Sequence, residues 1–155
     1  MKKLTIALLI IFVLPSMSYA SDLISADEIN TLMKSKGKFF RLIGDNEYQL
    51  IDKLNIKYML QKISPEIKRF SHSKSFDCED KSLILHSEIR KYQLENNLET
   101  SLAFGEAIIE RTKPHREKHA INFFISDNNK IYLIEPSTLE IYLLTRDIKL
   151  LFIKM

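Results

Sequence analysis

The only cysteine of this chain occupies a position that suits nucleophilic chemistry. Cys78 lies in the sequence Ser75-Phe-Asp-Cys-Glu-Asp-Lys-Ser82, and small or apolar residues follow it at alternating steps of four and three up to Tyr92. That spacing predicts one face of a helix with Asp77 as its N-cap. A thiol at the first helical position meets free N–H groups and the positive end of the helix dipole, which favour a thiolate. Cys78 is therefore a candidate nucleophile; the alternative is a small buried apolar residue.

A nucleophilic thiol needs a base to take its proton and a third group to orient that base. His119 opens a predicted strand that can lie beside the cysteine helix, and Glu135 on the next predicted strand can orient its ring. The alternative is that His119 and Glu135 are ordinary strand-end residues at the solvent boundary. The chain has four histidines, and the other three are His72, His86 and His115.

Three short segments resemble a known family. They are Phe-Asp-Cys-Glu-Asp over 76–80, His-Ala-Ile-Asn over 119–122 and Leu-Ile-Glu-Pro-Ser-Thr over 133–138. Together they resemble the papain-like cysteine protease domain of the fairy-ring mushroom agglutinin, whose bacterial and phage relatives are called lectin-MOA-related proteins. The order and spacing of the three segments agree with that family over 75–153.

This resemblance implies a role for each of three residues and a fold. Cys78 would be the nucleophile, His119 the base and Glu135 the third member of a Cys-His-Glu triad. The substrate would be a peptide, a protein or a similar amide. The fold would be α+β and papain-like or transglutaminase-like. Because no β-trefoil sequence precedes the matched region, the resemblance implies no lectin activity.

The sequence departs from the family pattern at three positions. Ser137 stands where the family usually has glutamine, Lys81 where an aromatic residue is common, and Glu79 where the family has aspartate.

The family's protease is calcium-dependent, and the acids beside Cys78 are the matching candidates. Asp77, Glu79 and Asp80 are hard oxygen ligands of the kind that calcium prefers. Acids at a helix start also serve as caps and interact with the helix dipole, which is the alternative reading.

The hairpin between the last two triad members decides whether they can meet. A two-residue turn would put Glu135 on the face opposite His119, because side chains alternate along a strand. A three-residue loop over 127–129, with Asn129 left-handed, pairs Glu135 with Ile121 and puts both side chains on one face. The triad therefore requires the three-residue loop.

No second chemical motif is present. Asn122 falls on the other face of its strand and is expected to bond to backbone groups. The N–H of Cys78 is the one oxyanion donor that the sequence indicates. The chain has no HExxH sequence, Gly-rich phosphate loop or basic patch with interleaved aromatic residues.

Helical periodicity predicts three helices in the first two thirds of the chain. A capping box over 25–28 begins a short helix that Gly37 ends. The second is predicted over 47–63, where Pro65 closes it or starts the next turn. The third is the cysteine helix over 78–95.

Short apolar or alternating runs predict the strands. They cover 39–43, 102–110, 119–125, 130–135, 141–144 and 148–153. Helices first and strands second is an α+β order, with an antiparallel sheet packed against the cysteine helix.

The first segment of the chain predicts export. Residues 1–20 have the three parts of a signal peptide: a basic start, an apolar run over 4–14, and small residues at Ser18 and Ala20. The apolar run is too short for a stable membrane anchor. Residues 21–155 are then one exported domain, periplasmic or secreted.

The net charge and the cysteine content limit which classes of partner the domain can have. Loss of Lys2 and Lys3 with the signal lowers the formal net charge from +3 to about +1. A near-neutral domain argues against nucleic acid as the main partner. A lone thiol in an oxidising compartment cannot form an intramolecular disulfide, so catalysis or an intermolecular disulfide would explain it.

Two functions are compatible with these residues. The first is an exported cysteine hydrolase, a peptidase or an amide acyl transferase. The alternative is a non-catalytic binding or structural module on the same scaffold.

Overall fold

A computed structural model describes residues 22–71, 76–111 and 117–155. The predicted signal peptide and the histidines at 72 and 115 lie outside these ranges. In chain order the elements are β1 (Leu23–Ser25), α1 (Ala26–Lys34), β2 (Phe40–Leu42), β3 (Glu47–Gln49), α2 (Lys53–Ser71), α3 (Cys78–Glu95), β4 (Phe104–Arg111), β5 (Glu117–Ile125), β6 (Ile131–Ile134), β7 (Ile141–Leu143) and β8 (Ile148–Lys154). None of the helices within these ranges is long and apolar enough to cross a membrane. The α+β class predicted from the sequence is confirmed.

The helix α1 begins at the predicted capping box. Ser25 Oγ accepts the backbone N–H of Glu28 at 3.2 Å, and Glu28 Oε2 accepts that of Ser25 at 2.9 Å. The helix ends at Lys34, before Gly37, whose φ of +127° is a conformation that glycine adopts without strain.

The prediction for the second helix is wrong at both ends. Residues 47–49 form β3, which pairs with β1, so their helical spacing reflects burial of a strand. Asp52 Oδ2 accepts the N–H groups of Leu54 and Asn55, and α2 therefore begins after Asp52. Pro65 lies inside α2 and does not close it. Burial of apolar residues on both sides of this proline offsets the backbone hydrogen bond that it cannot make.

The helix α3 forms as predicted. Its N-cap is Asp77, whose Oδ1 accepts the N–H groups of Glu79 and Asp80 at 3.0 and 3.1 Å. It ends at Glu95, and Asn97 beyond it has a positive φ of 52°.

A six-stranded sheet forms the centre of the domain, in the order β2-β8-β4-β5-β6-β7. All neighbours are antiparallel except β2 and β8, which are parallel. The sheet is therefore mixed: five of its strands have the predicted antiparallel pairing, and β2 adds a parallel edge that was not predicted. The physical reason is that β2 is far from β8 in sequence and joins the sheet beside it by a long connection, not by a hairpin.

Each face of this sheet carries its own hydrophobic cluster. On one face, residues of α2 and α3 pack against Phe104 and Phe124 of the sheet. On the other, α1 and the β1–β3 pair pack against Ile121 and Phe123. Successive side chains of β5 therefore pack on opposite faces of the sheet, as their alternation along a strand requires.

Candidate functional site

The hairpin between β5 and β6 has the three-residue loop that the triad requires. Ser126 donates its N–H to the carbonyl of Lys130 at 2.9 Å, and Asn129 is left-handed with φ of 56°. Asn122 pairs with Ile134, and the same register continued by one residue sets Glu135 opposite Ile121. The loop predicted from the sequence is confirmed.

This register brings His119 and Glu135 together. Their Nε2 and Oε2 atoms lie 2.7 Å apart, and the two side chains are only 20% and 18% exposed. With Nε2 bonded to the carboxylate, Nδ1 is the ring nitrogen available to another group. The second oxygen, Oε1 of Glu135, accepts the N–H of Ser137 at 3.4 Å.

The carboxylate form of Glu135 is favoured by its neighbours. Burial raises the pKa of this group, but the His119 hydrogen bond and charge, the Ser137 N–H and the charge of Arg111 together hold it below its usual value of 4.5. The pair is therefore a charge-assisted hydrogen bond in which the ring donates.

Cys78 lies against the strand that carries His119. Its Sγ accepts the N–H of Ala120 at 3.5 Å. The N–H of Ser126 points from β5 towards β6. Alternate residues of a strand direct their N–H groups to the same side, so the N–H of Ala120, six residues earlier, also points to the β6 side. Because β6 ends at Ile134 and Pro136 follows shortly after, the start of α3 occupies the place that another strand residue would take. The thiol therefore contacts the residue that directly follows His119 in the sequence.

Two further side chains border this cluster and were not identified from the sequence. Arg111 at the end of β4 donates to the hydroxyl of Tyr142 in β7 at 2.6 Å. Burial raises the pKa of Tyr142, while the hydrogen bond from Arg111 opposes that shift. These residues are 31 positions apart, and no sequence pattern links them.

His86, one of the four histidines considered as a base, belongs to a separate buried pair. Its Nδ1 lies 2.7 Å from Oε1 of Glu106 on β4. Arg90 donates its Nε–H to Nε2 at 3.3 Å, so that nitrogen carries the lone pair and Nδ1 carries the proton. The hydrogen bond from His86 lowers the pKa of Glu106, against the opposing effect of burial. The pair joins α3 to β4.

Two of the three acids beside Cys78 cap the helix α3 with their side chains. Asp77 accepts two N–H groups of α3, and Asp80 Oδ2 accepts the N–H of Asp77 at 3.3 Å. Across the ranges that the structure covers, no three His, Cys, Asp or Glu residues are grouped to hold a metal ion. Asp77 and Asp80 thus make the capping bonds of α3, and the assignment of Asp77, Glu79 and Asp80 to calcium stays a prediction.

Asn122 bonds to backbone groups, as predicted. It is fully buried, and its Nδ2 donates to the carbonyls of Ser82 and Gly105 at 3.0 and 3.4 Å. Its Oδ1 is buried without a hydrogen-bond partner. Asn122 therefore ties α3 to β4 and β5 under the site.

Comparison with known proteins finds solved structures that have the same fold as this chain. No protein-family model matches the chain, and no curated protein matches its sequence. A complex of PSL1a with E64 matches at a TM-score of 0.71 and 17% identity, over 86% of this chain and 50% of that one. A Polyporus squamosus lectin bound to the human-type influenza-binding epitope Neu5Aca2-6Galb1-4GlcNAc matches at 0.68 and 17%, over 86% and 49%.

These likenesses overturn the prediction of an exported cysteine hydrolase. The matching structures are of a mushroom lectin, and they favour the alternative, a binding module, over a peptidase or amide acyl transferase with a peptide substrate. The chain spans about half of the length of each of these two structures, and it has the fold of that half.

Proposed function

We propose that this chain is a non-catalytic binding module whose ligand is a carbohydrate. The observation that supports this most is the shared fold with a lectin over 86% of the chain. A carbohydrate replaces the peptide substrate expected from the sequence.

The contact site in this proposal is the strand-end cluster, which consists of His119, Glu135, Arg111 and Tyr142. Sugar hydroxyls both donate and accept, and the cluster offers both functions: the Glu135 carboxylate accepts, while Arg111 donates. The bonds from His119 to Glu135 and from Arg111 to Tyr142 fix these groups before a ligand arrives. Prearranged polar groups lose less conformational entropy on binding, which raises affinity.

Cys78 has a positioning role in this proposal. Its Sγ and the side chain of Asn122 both bond to backbone groups, and they hold the start of α3 against β5 and β4. The thiol keeps the end of β5, and with it His119, in place.

The scaffold and the location are parts of the same proposal. The cysteine helix against a strand bearing His119 supports the papain-like domain of the mushroom agglutinin relatives as the scaffold, here used for binding. The signal sequence over 1–20 supports export to the periplasm or the medium.

Binding to an immobilised panel of glycans tests the function. The wild-type domain should retain a subset of them, and Glu135→Gln should weaken that binding about tenfold or more, since hydrogen bonds to charged groups contribute about 1.5–3 kcal/mol. The matched control is Glu99→Gln, which removes an exposed carboxylate elsewhere.

Two results would overturn the proposal. One is the absence of binding to any glycan. The other is hydrolysis of peptide or amide substrates by the wild-type domain that Cys78→Ser abolishes, because a non-catalytic module has no such activity.

A further inference from the structure

A groove of about 420 Å³ runs between α2 and the segment over 137–141. Lys53, Lys57 and Lys68 line it from the helix side. Their separations of four and eleven residues correspond to one and three helical turns, so the three side chains form a stripe on one face of α2. The groove is therefore bordered by a row of positive charges.

The opposite wall and the floor contribute no negative charge. Ser137 and Thr138 line the groove from the side of the 137–141 segment, and its other lining residues are uncharged: Leu60, Gln61, Ser64, Ile67, Leu139 and Ile141. No aspartate or glutamate of the part of the chain that the structure describes lines this groove. The chain as a whole is close to balance, with 23 basic and 20 acidic residues, so a groove of one sign is a local concentration of charge.

The direction of one lysine is fixed by an aromatic contact. The Nζ of Lys53 lies 4.9 Å from the centroid of the Tyr132 ring. A cation–π contact holds the ammonium group at the end of the groove without neutralising its charge. An anion there would meet a positioned partner.

Ser137 lines the groove and is also close to Glu135. Its backbone N–H donates to Oε1 of that carboxylate.

From these contacts we infer that the groove binds the acidic group of an anionic saccharide. This inference rests on the proposed carbohydrate-binding function and adds the charge class of the ligand. Lys53 and Lys57 bind the carboxylate or sulfate, and apolar lining side chains such as Leu60 and Leu139 accept the less polar face of a sugar ring.

Matched saccharides and matched variants test the groove. Binding of trigalacturonic acid is compared with binding of its neutral methyl ester, using the full chain. The variant Lys53→Gln/Lys57→Gln removes two groove charges, and Lys34→Gln/Lys36→Gln removes two exposed charges elsewhere. Sulfate, compared with chloride at equal ionic strength, is a separate probe of anion binding by thermal unfolding.

The acid should bind the wild type about fivefold or more tightly than the ester, and the groove variant alone should lose that preference. Equal binding of acid and ester, or an unchanged preference in the groove variant, would overturn the groove while leaving carbohydrate binding intact. If neither these saccharides nor any glycan of the panel binds, but sulfate stabilises the wild type and not the groove variant, the anion site stands and the carbohydrate proposal fails. If sulfate also has no effect, both fail.

Discussion

Replacing Glu135 by glutamine tests whether the charge of the strand-end pair stabilises the domain. Glutamine has the same shape and can still accept the hydrogen bond from His119, so the change removes charge and little else. Hydrogen bonds to charged groups contribute about 1.5–3 kcal/mol and neutral ones about 0.5–1.5 kcal/mol. Both side chains are about four-fifths buried, so solvent screening of the pair is limited. We therefore expect Glu135→Gln to lower the free energy of unfolding by about 1 kcal/mol at pH 7.

The pH dependence of this loss has a definite sign. The pKa of Glu135 in the folded domain lies below its usual value of 4.5. Its charge therefore contributes its full stabilisation above that usual value, and the contribution disappears as the pH falls through the lower pKa of the folded state. The difference between wild type and variant should persist at pH 5–7 and decrease as the pH falls below 4.5.

Urea unfolding at pH 7, 5 and 3 measures this difference. Other acids with lowered pKa values, such as Glu106, titrate alike in both proteins, so the difference isolates Glu135. Glu99→Gln, at an exposed position, is the control and should change stability by less than about 0.5 kcal/mol. A difference that is absent at pH 7, or that stays the same at pH 3, would refute a charge-assisted pair.

Three further changes test the packing that positions the site. Gly105→Ala should destabilise the fold by about 1–3 kcal/mol or more in denaturant unfolding, because a Cβ there would lie 2.2 Å from the backbone oxygen of Lys154. Gly44→Ala, whose nearest atom would be 3.5 Å away, is its control, and equal effects of the two changes would contradict this account. Tyr48→Phe should cost about 1–3 kcal/mol, since the buried hydroxyl accepts the N–H groups of residues 44 and 45; no loss of thermal stability would argue against those bonds. Asp77→Ala should cost about 1 kcal/mol and loosen the start of α3 in hydrogen exchange; unchanged protection there would disprove the cap.

Local signals in the sequence determined the cysteine helix and the β5–β6 hairpin. Asp77 caps the helix through bonds to residues two and three positions later, and Asn129 supplies the left-handed residue of the loop. Such features depend only on neighbouring residues. For the same reason the pairing of His119 with Glu135, across a single hairpin, could be predicted from loop length and alternation.

The start of α2 and the edge of the sheet could not be predicted in this way. Tyr48 and Ile51 have helical spacing. However, Tyr48 lies in β3 and Ile51 follows that strand, and both are buried against distant parts of the chain. The parallel pairing of β2 with β8 joins segments more than a hundred residues apart. The spacing of apolar residues alone does not distinguish a strand from a helix here, because burial by distant residues overrides local propensity.

The surroundings of the site were decided by tertiary structure. The sequence named Cys78, but its contact with Ala120 exists because β6 ends early and α3 packs on β5. The bond from Arg111 to Tyr142 joins two strands separated by the whole β5–β6 hairpin. The lysine stripe is visible in the sequence of α2, but it becomes one wall of a groove only where the segment after Glu135 lies against it. Residue types and local spacing fix which groups are available; the packing of helices on the sheet decides which of them meet.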